Sequence, residues 1–220
     1  MDIYEALYTT RAMRRVKTDP IPMESQARIL DAAIRAPSGG NSQGWRFLLV
    51  DDPAVKAELG PLYRRCIEQL WATIYAAPIA AAAAAPDDPE SISMLKTQRS
   101  AQHLADHFEE VPLFLFGFIQ HDPTGGSIYP AVWSAQLAAR AEGIGSALTS
   151  VMGFFEGPAA LKALGVPDDQ GWIMACCVSF GYPTGRWAVA PRIASHEVSF
   201  RNRWGAPVGF ETPAPLWPAN

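Results

Sequence analysis

ILDAAIRAPSGGNSQGWRFLLVDDP, residues 29–53, changes its hydrophobic rhythm repeatedly. Ile29, Leu30, Ala33 and Ile34 recur at helical spacing, in a helix that begins at Pro22 and stops at Pro37. Gly39 and Gly40 then open a loop, because glycine takes positive φ at no steric cost and leaves bare backbone for a ligand to approach. Ser38, Asn41 and Gln43 add hydroxyl and amide groups suited to the donor and acceptor edge of a flat heterocycle. WRFLLV, residues 45–50, reads as a short apolar strand pinned at its start by Trp45. Asp51, Asp52 and Pro53 end it and cap a helix running to about Ala77.

Upstream, MDIYEALYTTR places Ile3 and Leu7 at helical spacing. Downstream, residues 78–94 read as an alanine-rich, then Pro/Asp-rich, mobile connection, followed by a polar helix in LKTQRSAQHLADHFEE. VPLFLFGFI is a continuous apolar strand, as expected where both faces are buried. A loop, HDPTGGS, leads to a helix in YPAVWSAQLAARAEG with Val132, Leu137 and Ala138 facing inward. SALTSVM is a third strand, GPAALKALG a short helix and GWIMACCVSFGYP a fourth strand. Residues 183–220 lose periodicity but keep Trp187, Phe200, Trp204, Phe210 and Trp217, too apolar to float free. A partner subunit is their natural home.

The 220 residues suit a single domain with a full core. Hydrophobic residues make up 49% and charged ones 18%, a lean surface that favours an oligomer. A net charge of -4 argues against nucleic acid or an anionic membrane as main partner. The acidic amino terminus does not read as a secretory signal, and YAAPIAAAAAAP is too short to cross a bilayer. Three cysteines, two of them adjacent at 176 and 177, read as core thiols of a reducing, cytoplasmic compartment.

Against that acidic background, TTRAMRR (residues 9–15) concentrates three arginines. Arg11 and Arg15 share a face whether the segment is helical or extended and can converge on one anion, while Arg14 points elsewhere. GNSQG matches the nucleophile elbow of hydrolases at Ser42, yet its helix-before, strand-after order is the reverse of what lifts a serine into an oxyanion hole. His103 and His107 have chelating i, i+4 spacing without a third ligand, so a solvated helix face is the simpler reading. EGIGSALTSV offers Thr149 and Ser150 in apolar surroundings, and the tail adds Arg186 and Arg192.

In this order and spacing, TTRAMRR, APSGGNSQGWRFLLVDDP, GIGSALTS and FGYPTG followed by an arginine resemble the nitroreductase family of FMN-dependent flavoenzymes, from residue 2 to about 205. The resemblance implies an α+β fold with a mixed central sheet wrapped by helices, in a domain-swapped homodimer whose 183–220 arm embraces the partner. It implies FMN held at the phosphate by Arg11 and Arg192, with Arg15 at the flavin N1/O2 edge and Ala12 and Met13 beside the ring. Ser38, Gly39 and Asn41 would reach the partner's FMN, and Leu148, Thr149 and Ser150 would lie over the ring near N5. Two departures stand out: Gly44 where the family often has proline, and extra material at 64–108 that would form a lid. The implied activity is hydride transfer from NADH or NADPH to FMN, then reduction of a planar nitroaromatic or quinone by ping-pong turnover, with no protein nucleophile or base required. Dehydrogenation of a small molecule, reductive dehalogenation or flavin fragmentation are the alternatives on the same fold. A flavin binder without turnover, or a Ser42 hydrolase, stands further off.

Overall fold

The computed structural model describes residues 1–217; the last three positions of the expected arm lie outside the described residues. Its elements run α1 (Ile3–Thr9), α2 (Met23–Ala33), β1 (Trp45–Val50), α3 (Pro53–Ala72), α4 (Ala76–Ala84), α5 (Pro89–Asp106), β2 (Leu113–Ile119), α6 (Ile128–Ala141), β3 (Gly145–Thr149), α7 (Val151–Phe155), α8 (Gly157–Ala163) and β4 (Ile173–Gly181). The strands form one sheet in the order β1-β2-β4-β3. Helices pack on both faces, as the resemblance implied.

The sheet itself is antiparallel, not mixed: every strand pair runs in opposite senses. The helical connections explain this. The α3–α5 excursion goes out and returns to the end of the sheet it left, so β2 opposes β1. Helix α6 carries the chain back, giving β3 the same sense as β2, but β4 inserts between them and opposes both. The parallel contact that remains is an isolated bridge between Ala12 and Ser146.

β2 explains why VPLFLFGFI lacks polar alternation. Phe114, Phe116 and Phe118 enter a core shared with Leu59, Tyr63, Cys66, Leu104 and Phe108 of the α3–α5 side. Leu113 and Leu115 enter the opposite core with Ile29, Ala33, Ala135 and Ala139 of α2 and α6. Cys66, Cys176 and Cys177 are free and buried. Burial pushes the Cys66 and Cys176 thiols up to about 12, so they remain protonated packing groups.

Three local expectations are corrected. The helix after β1 ends at Ala72, and residues 76–84 form α4 where a mobile connection was expected. Alanine's high helix propensity outweighs Pro78 there, since proline in the first turn costs no hydrogen bond. Asp88 then caps α5, accepting from the amides of Glu90 and Ser91 at 3.0 and 3.1 Å. Asp88→Ala is expected to lower stability by about 1 kcal/mol, read as a shift of the urea midpoint. On α6 the buried face holds Ala131, Val132, Ala135, Gln136, Ala139 and Arg140, with Leu137 and Ala138 only half-buried. The polar members of that face hid it: Arg140 bonds Thr9 Oγ1 at 2.8 Å and reaches Glu5 at 3.3 Å. The extra material at 64–108 is also partly core, through Cys66, Ile67, Leu104, Ala105 and Phe108; α4 stands outside it with Ala82 alone buried among its residues.

Residues 184–190 run along their own chain. Trp187 covers the Arg140 guanidinium at 4.0 Å, and the Ala190 amide donates to the Tyr8 carbonyl at 3.4 Å. Beyond them Ile193, Phe200 and Leu216 are exposed and Trp204 is 93% exposed. No helix among the described residues is long and apolar enough to cross a membrane.

Candidate functional site

Residues 11–17 form an extended ribbon at the open edge of β3. The Met13 amide donates to Ser146 O at 2.8 Å, and the Lys17 amide donates to Tyr182 O at 2.8 Å. The ribbon fits because Gly145 and Gly181 have no side chains. A Cβ on Gly181 would stand 2.6 Å from the Val16 Cβ, and one on Gly145 would stand 3.0 Å from that of Met13. Met13 is therefore buried, against Gly145 and Gly185, and anchors the ribbon.

Among the described residues, the arginines on the ribbon lack the carboxylate partners that five others in the molecule have. Arg28, Arg35, Arg64, Arg65 and Arg140 each pair with a carboxylate. Among the described residues, Arg11, Arg14 and Arg15 pair with none. Arg11 Nη2 donates to the Arg186 carbonyl at 2.8 Å, Arg14 Nη1 reaches Ser100 Oγ at 3.4 Å, and Arg15 Nη1 meets His103 Nδ1 at 3.0 Å. Arg11 and Arg15 thus take different partners here, one on the tail and one on α5. Arg14, Arg15, His103, His107, Glu110 and Thr184 line a cavity of about 230 Å³ between the ribbon and α5. Unbalanced guanidinium charge in a cleft suits an anionic ligand.

Leu148 and Thr149 are half-buried at the end of β3, and Ser150 is exposed just beyond. The Thr149 side chain acts on the phenol of Tyr63, which burial keeps protonated. Arg192 lines a separate cavity of about 340 Å³ with Leu7, Tyr8 and Thr10, and its guanidinium donates to Pro191 O at 2.9 Å. Arg11 does not line that cavity, although its neighbour Thr10 does.

The loop holding Ser38, Gly39 and Asn41 lies at the opposite corner of the sheet. It precedes β1, whose Trp45 faces Ile119, and the Gly39 amide reaches Ser127 Oγ at 3.3 Å. The ribbon meets β3 where Ser146 faces Phe180. Ile173, opposite Ile119, and Phe180, opposite Ser146, set the two ends about 23 Å apart along β4 at the usual strand rise, with the full width of the sheet added. The loop is strained: Asn41 and Gln43 hold φ of 55° and 48°, in the left-handed region. Ser42 lines a cavity with His121 and Asp122, but Asp122 accepts from the Ser127 and Ile128 amides at the start of α6. A short 3-10 turn precedes Ser42 and β1 follows, the reverse of a nucleophile elbow.

His103 is the site residue that the sequence reading missed. Its i, i+4 relation to His107 drew attention to metal binding, and the two rings do lie 4.3 Å apart. The ring nitrogen nevertheless faces a cation on a segment 88 residues away, which no local spacing reveals.

Fold and cleft together define an α+β protein with an antiparallel sheet and a basic, anion-suited cleft at its open edge. The nitroreductase family model matches residues 7–182, and the chain belongs to that family. The 5,6-dimethylbenzimidazole synthase of Rhodospirillum rubrum is 30% identical over 197 residues, covering 83% of this chain and 82% of that protein. A solved structure of oxidised iodotyrosine deiodinase bound to FMN and 3-iodo-L-tyrosine matches with TM-score 0.69 at 21% identity, over 87% of this chain and 95% of the other. The FMN-dependent nitroreductase NfnB of Mycobacterium smegmatis, in complex with NADPH, matches with TM-score 0.65 at 20% identity, over 90% and 97%.

Proposed function

We propose that this chain is an FMN-dependent oxidoreductase whose ribbon arginines hold the cofactor. The observation that carries this reading is the ribbon itself, with three guanidiniums free of carboxylates, two of which, Arg14 and Arg15, line a cleft. That donor set fits a phosphate ester together with a ring that becomes anionic on reduction. FMN supplies the electron-transfer chemistry when bound. Arg11 would bind the phosphate, Arg15 would face the N1/O2 edge, and Leu148 to Ser150 would border the ring near N5. Met13, buried under the ribbon, serves as its anchor. The loop at 38–41 lies too far away to serve the same flavin, so a second copy of the chain would supply it. The exposed Ile193, Phe200, Trp204 and Leu216 give that copy an apolar surface to cover.

Among reactions of this fold, flavin fragmentation to 5,6-dimethylbenzimidazole stands first. Its support is a relative of that name aligned along four fifths of both chains. Reductive dehalogenation of an iodotyrosine-like substrate comes next, on the fold match to the deiodinase. Reduction of nitroaromatics or quinones by NADH or NADPH is a further reading, supported by the match to NfnB with NADPH. The protein is expected to be yellow and to release FMN on heating. Given reduced FMN under air, it is expected to form 5,6-dimethylbenzimidazole, detected by mass spectrometry. Iodide release from 3-iodotyrosine, or bleaching by NADPH followed by nitroaromatic turnover, would move the assignment to those alternatives. A colourless protein that takes up no added FMN would overturn all three.

A further inference from the structure

We propose that His103 is a positioning residue for Arg15: its Nδ1 accepts a hydrogen bond from the guanidinium and fixes the cation assigned above to the flavin N1/O2 edge. The inference rests on that assignment for its function, while the contact itself is geometric. Arg15 Nη1 and His103 Nδ1 stand 3.0 Å apart. A guanidinium offers only donors, so Nδ1 must carry the lone pair and the ring proton sits on Nε2. The main chain of Arg15 is held separately, its carbonyl accepting from Thr184 N at 3.1 Å and Oγ1 at 3.3 Å. His103 therefore acts on the charged end of Arg15 alone.

The surroundings keep the ring in the accepting form. Arg15 and Arg14 line the cavity from the ribbon, and His107 and Glu110 line it from the end of α5 and the turn that follows, while the Asp106 charge also acts on the ring. Burial first, then the positive charges of Arg15 and His107, lower the His103 pKa from its ordinary 6.5, against Asp106 and Glu110. His107 is itself held by Glu110 at 2.9 Å. With its pKa lowered, His103 is neutral at pH 7 and the bond is intact. Acidification through that lowered pKa turns Nδ1 into a donor facing a cation, and the bond is lost.

The test has two arms. In the first, side-chain 15N spectra of the histidines are recorded on the FMN-free protein across a pH titration. The expected result is an unprotonated, bonded Nδ1 on His103 near neutrality, and a titration midpoint that rises in Arg15→Ala. A protonated Nδ1, or a midpoint that Arg15→Ala leaves in place, overturns the proposal. In the second, the FMN midpoint potential is measured at pH 8 on H103L and H103N. Leucine accepts no bond, whereas the asparagine carbonyl stands near the position of Nδ1. H103L is expected to lose about fivefold of the preference for reduced over oxidised FMN, about 20 mV for a two-electron couple, and H103N is expected to restore it. An unchanged potential in H103L, or an equal shift in H103N, would make the ring a space-filler and overturn the proposal. The first arm contains no flavin. A protein that passes it yet binds no FMN overturns the functional reading and leaves the Arg15–His103 contact standing.

Discussion

A chain ending at Tyr182 is expected to carry no FMN and to aggregate. The cut removes Thr184, which holds the Arg15 carbonyl through both its amide and its hydroxyl. It removes the Arg186 carbonyl that receives Arg11 Nη2 at 2.8 Å, so Arg11 loses its side-chain partner and Arg15 its main-chain support at once. It also strips Trp187 from Arg140, leaving one face of a buried guanidinium bare, and frees α1 by losing the Ala190 bond to Tyr8. Each hydrogen bond is worth about 1 kcal/mol and the cation–π contact about as much, so the sum takes a large share of a typical stability of roughly 5–15 kcal/mol. Absorbance near the flavin band and size-exclusion chromatography check this directly. A soluble, yellow, monomeric truncation would sink both the packing argument and the expectation that the remainder of the arm lies on a partner.

Much of this architecture was legible because its signals are local. Pro37, the two glycines and WRFLLV mark a helix end, a loop and a strand in direct succession, and β1 begins and ends where that pattern places it. β2 was legible for a different reason: an unbroken apolar run implies burial on both faces, and both cores meet on it. The α6 face was misread because Gln136 and Arg140 are buried polar residues, and an apolar stripe cannot register a guanidinium satisfied by Thr9 and Glu5. Sheet sense was not legible either. It depends on whether helical excursions bring the chain back to the end it left, which α3–α5 do and α6 does not. For the site, the arginine cluster could be found by composition and spacing. The acceptors that meet it could not, since His103 and Arg186 lie 88 and 175 residues from their partners.

Arg11 and Arg15 are expected to fail in different ways when replaced. On the proposed assignment, Arg11→Ala removes a charge-assisted bond to the phosphate, a fixed dianion in every redox state, and such bonds are worth about 1.5–3 kcal/mol. Oxidised FMN should therefore bind roughly tenfold to a hundredfold more weakly, with little change in the potential of what remains bound. On the same assignment, Arg15→Ala removes a cation from a part of the ring that is neutral when oxidised and gains charge on reduction. A unit pair at 4 Å is worth about 4 kcal/mol at an effective dielectric constant of 20, and the exposure of Arg15 reduces this to about 2 kcal/mol. That corresponds to a fall of about 40 mV for a two-electron couple, with oxidised FMN held nearly as in the parent. Fluorescence-quenching titration of FMN and a redox titration on both variants separate the two losses. If Arg15→Ala loses oxidised FMN as badly as Arg11→Ala and its potential does not fall, both arginines serve the phosphate and the N1/O2 role is wrong.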